Sequence, residues 1–182
     1  MQKTFILFFI FLNSVIYSQK SELNNICKSN DEKSFFSLEN DFKKVVWRET
    51  FYVERRKEVK NINGKNYLEI VQESENDGTV SRYFREENGT IYELDKSSKK
   101  ELVRFDTKFE KGYSWKTGNG KDEYTILSFN GELETPFCIY KNLLVIDAKM
   151  NFGHFTFYYS RGLGYVGATE NGKVISYITS ML

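Results

Sequence analysis

The 182-residue chain carries 26 basic and 25 acidic residues with the signs interspersed, so it lacks the concentrated positive face on which nucleic-acid binding depends. One histidine and two cysteines are too few for the usual zinc sites, and neither a metal nor a cofactor is expected. Proline occurs once, which leaves no Pro-rich linker and argues for one domain rather than two.

The chain opens with Met1-Gln2-Lys3, continues as the apolar run Phe5 to Leu12, and then reaches Asn13-Ser14-Val15-Ile16-Tyr17-Ser18-Gln19. That charged, apolar, small order is the pattern of a secretory signal, with cleavage expected between Ser18 and Gln19. The apolar run is about eight residues, whereas a helix crossing the hydrocarbon layer needs roughly twenty, so no permanent membrane anchor is expected. The expected address is the periplasm or the extracellular space. Without Lys3 the remainder has 25 basic and 25 acidic residues.

Three segments follow from this reading: a cleavable signal at 1–18, an N-terminal segment at 19–44, and a single antiparallel β domain at 45–182. Within the N-terminal segment, Asp31 to Lys44 is predicted to hold one short helix, capped by Ser29 or Asn30, with Phe35, Leu38 and Phe42 on one side. Export makes an oxidising compartment the expected setting for Cys27 and Cys138. The two thiols either stay free or pair, and a pair would close a loop of about 111 residues worth on the order of 4 kcal/mol by chain entropy.

From residue 45 onward, aromatic and β-branched residues alternate with polar ones. Phe51 and Val53 alternate with Tyr52 and Glu54, and Phe155, Phe157 and Tyr159 with Thr156, Tyr158 and Ser160. A period of two sends successive side chains to opposite faces of a sheet. Five dipeptides, Asn63-Gly64, Asp77-Gly78, Asn88-Gly89, Asn130-Gly131 and Asn171-Gly172, suit the positive φ of tight hairpins and predict strands joined consecutively. The strands are expected near 45–59, 65–74, 79–87, 90–95, 101–106, 122–130, 132–140, 142–150, 154–160, 164–169 and 173–179. The fold class is all-β: an antiparallel meander of about ten strands, curled into a barrel, a half-barrel or a two-sheet sandwich because a flat sheet would leave exposed edges and an uncovered apolar face.

Several short motifs span most of the β region. They are Phe36-Ser37-Leu38 ahead of Trp47; Tyr83-Phe84-Arg85 followed by Asn88-Gly89 and Ile91-Tyr92; Lys111-Gly112-Tyr113-Ser114-Trp115; Thr135-Pro136-Phe137 followed by Tyr140-Lys141-Asn142; and Phe157 through Val166. In this layout the chain resembles a loose group of small exported β-rich proteins of unassigned function from Bacteroidota-type bacteria. It departs from that pattern in having Cys138 where a turn glycine is expected. The resemblance implies an envelope or secreted β domain and brings no catalytic residues with it.

Candidate sites are few. The glycines between Tyr158 and Gly167 cannot form a phosphate loop, because a strand rather than a helix follows them. Arg161 could hold a carboxylate or backbone carbonyls at that turn. His154 has no second histidine and is expected to hydrogen-bond locally. Glu132 and Glu134, two apart on a strand and so roughly 7 Å from each other, could act as a glycosidase pair but match the wet face of a sheet better. Asp147 interrupts an apolar run and points outward, or pairs with Arg161 or Lys149 if buried. Trp47, Trp115, Tyr158 and Tyr159 could line a ligand cleft, although most aromatics must fill the interior.

Three functions remain. The first is a non-catalytic exported domain that binds or scaffolds at the cell envelope through a sheet edge or loop rim. The second is a carrier of a lipid or other apolar ligand inside a curled sheet. The third is a carboxylate-based glycan hydrolase. The partner is accordingly an envelope protein, a glycan or an apolar ligand, and not nucleic acid.

Overall fold

A computed structural model describes residues 27–75, 78–116 and 120–179. The signal at 1–18 and its cleavage point lie outside the described residues. Twelve strands follow one another: β1 (Phe42–Trp47), β2 (Thr50–Ile62), β3 (Lys65–Ser74), β4 (Gly78–Glu87), β5 (Thr90–Asp95), β6 (Lys100–Asp106), β7 (Ser114–Lys116), β8 (Glu123–Glu134), β9 (Ile139–Met150), β10 (Gly153–Ser160), β11 (Gly164–Glu170) and β12 (Lys173–Thr179). They form one antiparallel sheet in the order β6-β5-β4-β3-β2-β1-β12-β11-β10-β9-β8-β7. The first and last strands therefore pair at the centre, with Val45 opposite Ile178, and β6 and β7 are the two edges.

This is an open curled sheet, not a closed barrel and not a two-sheet sandwich, because β6 and β7 are not hydrogen-bonded to each other. Side chains span the gap instead. Phe105 of β6 leads to Phe109 at 6.1 Å, Phe109 to Trp115 of β7 at 5.3 Å, and Trp115 to Tyr124 of β8 at 5.5 Å. The Arg104 guanidinium adds a cation–π contact, 5.5 Å from the Tyr124 ring centre.

Three hairpins turn where the sequence predicts. Asn63-Gly64, Asn88-Gly89 and Asn171-Gly172 each place both residues at positive φ, between 50° and 80°, the paired left-handed geometry that keeps the twist of the flanking strands. Asn130-Gly131 does something else: it lies inside β8, which runs unbroken from Glu123 to Glu134, so the separate strands expected at 122–130 and 132–140 are not separate. Gly131 is needed there because a Cβ would run into the Val145 side chain of β9. Register shifts on either side of it, and Asn142 at φ +54°, bend the β8–β9 hairpin. The true turn is Thr135 to Cys138, where Thr135 Oγ1 accepts from the Cys138 amide at 3.0 Å and the Thr135 amide donates to the Cys138 carbonyl at 2.8 Å. Thr135 closes this turn without a glycine, which is why Cys138 can stand there.

The strand expected at 45–59 is two strands, β1 and β2, folded at Arg48, whose φ is +53°. The short strand β7 was not foreseen. Nor is there a helix between Asp31 and Lys44: residues 27–41 form an irregular strap and β1 starts at Phe42. Local side-chain hydrogen bonds compete with a helix there, from the amides of Glu32, Phe36 and Glu39 to Asn30 Oδ1, Ser34 Oγ and Ser37 Oγ. Tertiary bonds complete the override: the Asn30 amide donates to the Arg161 carbonyl at 2.9 Å and the Gly162 amide to the Ser34 carbonyl at 3.0 Å.

Two apolar clusters hold the sheet. One joins Phe84, Ile91 and Phe105 of β4–β6 to Tyr124, Ile126, Leu144, Ile146 and Ala148 of β8–β9, with Phe35 of the strap. The other gathers Leu133, Cys138, Tyr140, Leu143 and Val145 of the β8–β9 hairpin against Val45, Val166 and Ile178. Leu143 to Ile146 alternate between the two, so β9 is buried on both faces.

Candidate ligand cavity

Antiparallel pairing puts the turns after β1, β3, β5, β7, β9 and β11 at one end of the curl and those after β2, β4, β8 and β10 at the other. The strap closes this second end. Phe36 is the plug: its ring stacks on Phe105 of β6 at 5.0 Å and on Tyr159 of β10 at 4.4 Å, so it bridges the two arms of the curl. A disulfide between Cys27 and Cys138 fastens the strap to the hairpin turn. Arg161 adds two contacts, one from Nη1 to the Lys33 carbonyl at 3.2 Å and one over the Phe35 ring at 4.2 Å.

Between strap and rim the concave face encloses a cavity of about 660 Å³. One wall is apolar and aromatic, with Phe157, Met150, Tyr124 and Trp47, the last packed at 5.7 Å on Phe155. The facing wall is charged. Glu54 of β2, Gln72 of β3, Arg82 of β4, Glu93 of β5 and Arg104 of β6 all line the cavity, and Lys43 of β1 stands at its closed end beside Ser37 and Gly164. Asp95 and the exposed Lys96 belong to the rim.

These charges are organised. Arg82 grips Glu93 with Nε and Nη2, both at 2.8 Å, a bidentate pair. Arg82 is surrounded by protein yet 29% of its side chain remains accessible, because the accessible part opens into the cavity. Burial pushes the Glu93 carboxyl up, and the Arg82 hydrogen bonds and the charges of Arg82 and Arg104 more than reverse this, leaving it below its ordinary range. Arg104 Nε approaches Glu93 Oε2 at 3.3 Å. Glu54 accepts a 2.7 Å hydrogen bond from Gln72 and stands opposite Lys43 in the β1–β2 register. The Lys43 ammonium donates to the carbonyls of Leu163 at 2.7 Å and Tyr165 at 3.2 Å, and burial lowers its pKa, with Glu54 countering.

Tyr52, Tyr159 and Tyr165 complete the inner surface. Burial pushes the Tyr159 phenol up to about 12 and raises those of Tyr52 and Tyr165 well above their ordinary value. Among the described residues no hydrogen bond reaches the buried Tyr165 hydroxyl, and the Ser176 hydroxyl donates to the Val46 carbonyl.

Of the five ligand-site candidates, the cavity receives Trp47 and Tyr159. Trp115 is spent on bridging the sheet edges, Tyr158 packs against the second cluster, and Arg161 holds the strap. Glu132 and Glu134 are both exposed, and Glu132 lies 3.5 Å from Lys141. Asp147 pairs with neither Arg161 nor Lys149 but with His154, Nε2 to Oδ1 at 2.5 Å. Sequence reasoning missed Lys43, Glu54, Gln72, Arg82, Glu93 and Arg104. A signal existed for four of them: Glu54, Gln72, Arg82 and Glu93 each lie two residues from an inward side chain, Tyr52, Ile70, Phe84 and Ile91, and share its face.

No family model matches this chain, and no curated protein matches it. Among solved structures it is similar to one from Bacteroides fragilis, described as a candidate exported protein with a YmcC-like fold, at 10% sequence identity and a TM-score of 0.45, covering 81% of this chain and 97% of the other.

Proposed function

We propose that this chain is a non-enzymatic binding protein that holds a small amphipathic or apolar ligand inside its curled sheet. The observation that carries this reading is the cavity of about 660 Å³, plugged at one end by Phe36 and lined on one side by aromatics. That volume falls within the range of about 300–1,000 Å³ that small-molecule sites occupy. Docking through a bare sheet edge has less support, because the two edges are engaged with each other through Phe105, Phe109 and Trp115. A hydrolase has less still, since Glu132 and Glu134 are exposed and do not line this cavity. An address outside the cytoplasm is part of the reading, supported by the N-terminal segment and by the Cys27–Cys138 disulfide.

Native mass spectrometry of the protein from the organism that makes it, paired with titration by N-phenyl-1-naphthylamine, a neutral dye that brightens in apolar surroundings, tests the reading. Expected are extra mass that leaves on denaturation, or saturable dye uptake by the bare chain. A bare chain that takes up no dye would overturn it.

A further inference from the structure

We propose that the ligand is an amphiphile with an anionic head, a carboxylate or phosphate, seated on the Arg104 guanidinium with its apolar body along Trp47, Phe157 and Met150. This deepens the cavity reading and rests on it. Most charges on the cavity wall already have partners. Arg82 and Glu93 satisfy each other bidentately. Lys43 and Glu54 face each other across the β1–β2 register, and Lys43 is further held by two carbonyls. Of the three cations on the charged wall and at the closed end, Arg104 is the one that only shares a carboxylate, and at the rim Asp95 and Asp122 stand with the Lys96 ammonium.

Among the described residues the Arg104 side chain makes no hydrogen bond. Its one charged contact is the 3.3 Å approach of Nε to Glu93 Oε2, an oxygen that Arg82 Nη2 already occupies at 2.8 Å. Its side chain is 20% exposed, and that surface faces the cavity. A largely desolvated guanidinium with free terminal N–H groups is costly unless an acceptor meets it, and its planar fork matches a carboxylate or a phosphate. The Tyr124 ring, 5.5 Å from the guanidinium carbon, adds a cation–π contact that uses none of its N–H donors. At the rim, Asp95 is held as a carboxylate by the Ser97 and Ser98 hydroxyls at 2.6 and 2.8 Å, and the exposed Lys96 beside it supplies the opposite charge.

Three chain-matched amphiphiles test this by displacement of N-phenyl-1-naphthylamine from the oxidised protein: dodecanol, dodecanoate and dodecyl phosphate. Both anions should displace the dye at concentrations about tenfold below that of dodecanol, the scale of one charge-assisted hydrogen-bond pair. The stronger of the two identifies the head as carboxylate or phosphate. Arg104→Met should abolish the preference while the protein still takes up the dye, which shows that the variant folds; Arg104→Lys should keep part of the preference. Equal displacement by all three, or a preference that survives Arg104→Met, overturns the anionic head alone. Failure of the protein to bind dye or any amphiphile overturns the cavity reading with it.

Discussion

The two arms of the sheet solve opposite problems. In β8–β11 apolar burial dominates, with the middle of β9 and most of β11 covered on both faces, and Ile126, Leu143, Leu144, Ala148, Val166 and Ala168 have no accessible surface. In β2–β6 the outer face is a lattice of charge: Lys60 pairs with Glu69, Arg85 with Glu101 and Glu87, and Lys65 with Glu101. The inner face of that same arm carries Arg82, Glu93 and Arg104 into the cavity. The apolar arm holds most of the fully buried side chains, and the charged arm supplies the polar wall of the cavity. A sheet that curls without closing can keep these roles apart, because the interior is filled only where the arms touch.

The largest effect that would test this division is a truncation in the apolar arm. Phe155 is 2% exposed and packs on Trp47, Phe157 and Phe152. Phe155→Ala should cost about 4 kcal/mol, from lost burial and the void left behind. Leu102→Ala, on the charged arm where the side chain already borders the cavity, should cost about 1 kcal/mol, since it enlarges a space rather than opening one. Urea unfolding of both variants measures the contrast, and equal losses would mean that the arms are not divided in this way.

The disulfide comes next. Cys27 and Cys138 are 111 residues apart, and replacing both by Ser should remove about 3 kcal/mol, below the chain-entropy value because the strap has bonds of its own. The same change frees one end of the Phe36 plug, so dye binding should weaken beyond what the loss of stability explains. Unchanged dye affinity would separate the strap from the cavity.

Turn chemistry and alternation were legible in the sequence because each rests on local geometry, whereas the expected count of about ten strands falls short of twelve, because β1 and β2 fold at Arg48 without a glycine and β7 is only three residues long. Asn63-Gly64 and Asn88-Gly89 turn wherever they sit between strands. Asn130-Gly131 reads the same way and is a packing glycine, because the Val145 side chain that requires it lies on another strand. The strap was misread for a related reason: Phe35 and Leu38 have helical spacing, but both join a core assembled by β4–β9, and Phe36 between them has the decisive contacts. The charged wall was hidden by a sound rule. Charge on alternate positions of a strand normally marks its wet face, and here the wet face is the inside of the curl.

Glu93 exposes that hidden wall to a smaller perturbation. Glu93→Gln leaves Arg82 and Arg104 without their carboxylate and should cost about 2 kcal/mol, less than for a fully buried pair because Arg82 reaches cavity solvent. Acid should do the same gradually. Glu93 is held below its ordinary pKa, and on the outer face Glu101 and Glu69 are held near about 2, each chiefly by a hydrogen bond from its cation, Arg85 and Lys60. A carboxyl whose folded pKa is depressed stabilises the fold above its unfolded value and loses that contribution as pH falls through the folded value. Stability should therefore hold at neutral pH and decline from about 4.5 toward 2. A Glu93→Gln protein should decline less steeply, since one of the titrating groups is gone.

The smallest expected effect uses the same chemical change in the other arm. Glu132 and Glu134 lie on the exposed face of the β8–β9 hairpin, and Glu132 has only the 3.5 Å approach of an equally exposed Lys141. Replacing both by Gln should shift stability by no more than about 0.5 kcal/mol, because a solvent-screened pair gains little from its charge. Dye and amphiphile binding should be unaltered. Two carboxylates removed from the hairpin then matter less than one removed from the cavity wall, since solvent already satisfies the first two and only guanidinium satisfies the third. A loss of binding in the Glu132→Gln, Glu134→Gln protein would move the site out of the concavity and onto the hairpin, and would return the paired-carboxylate chemistry to consideration.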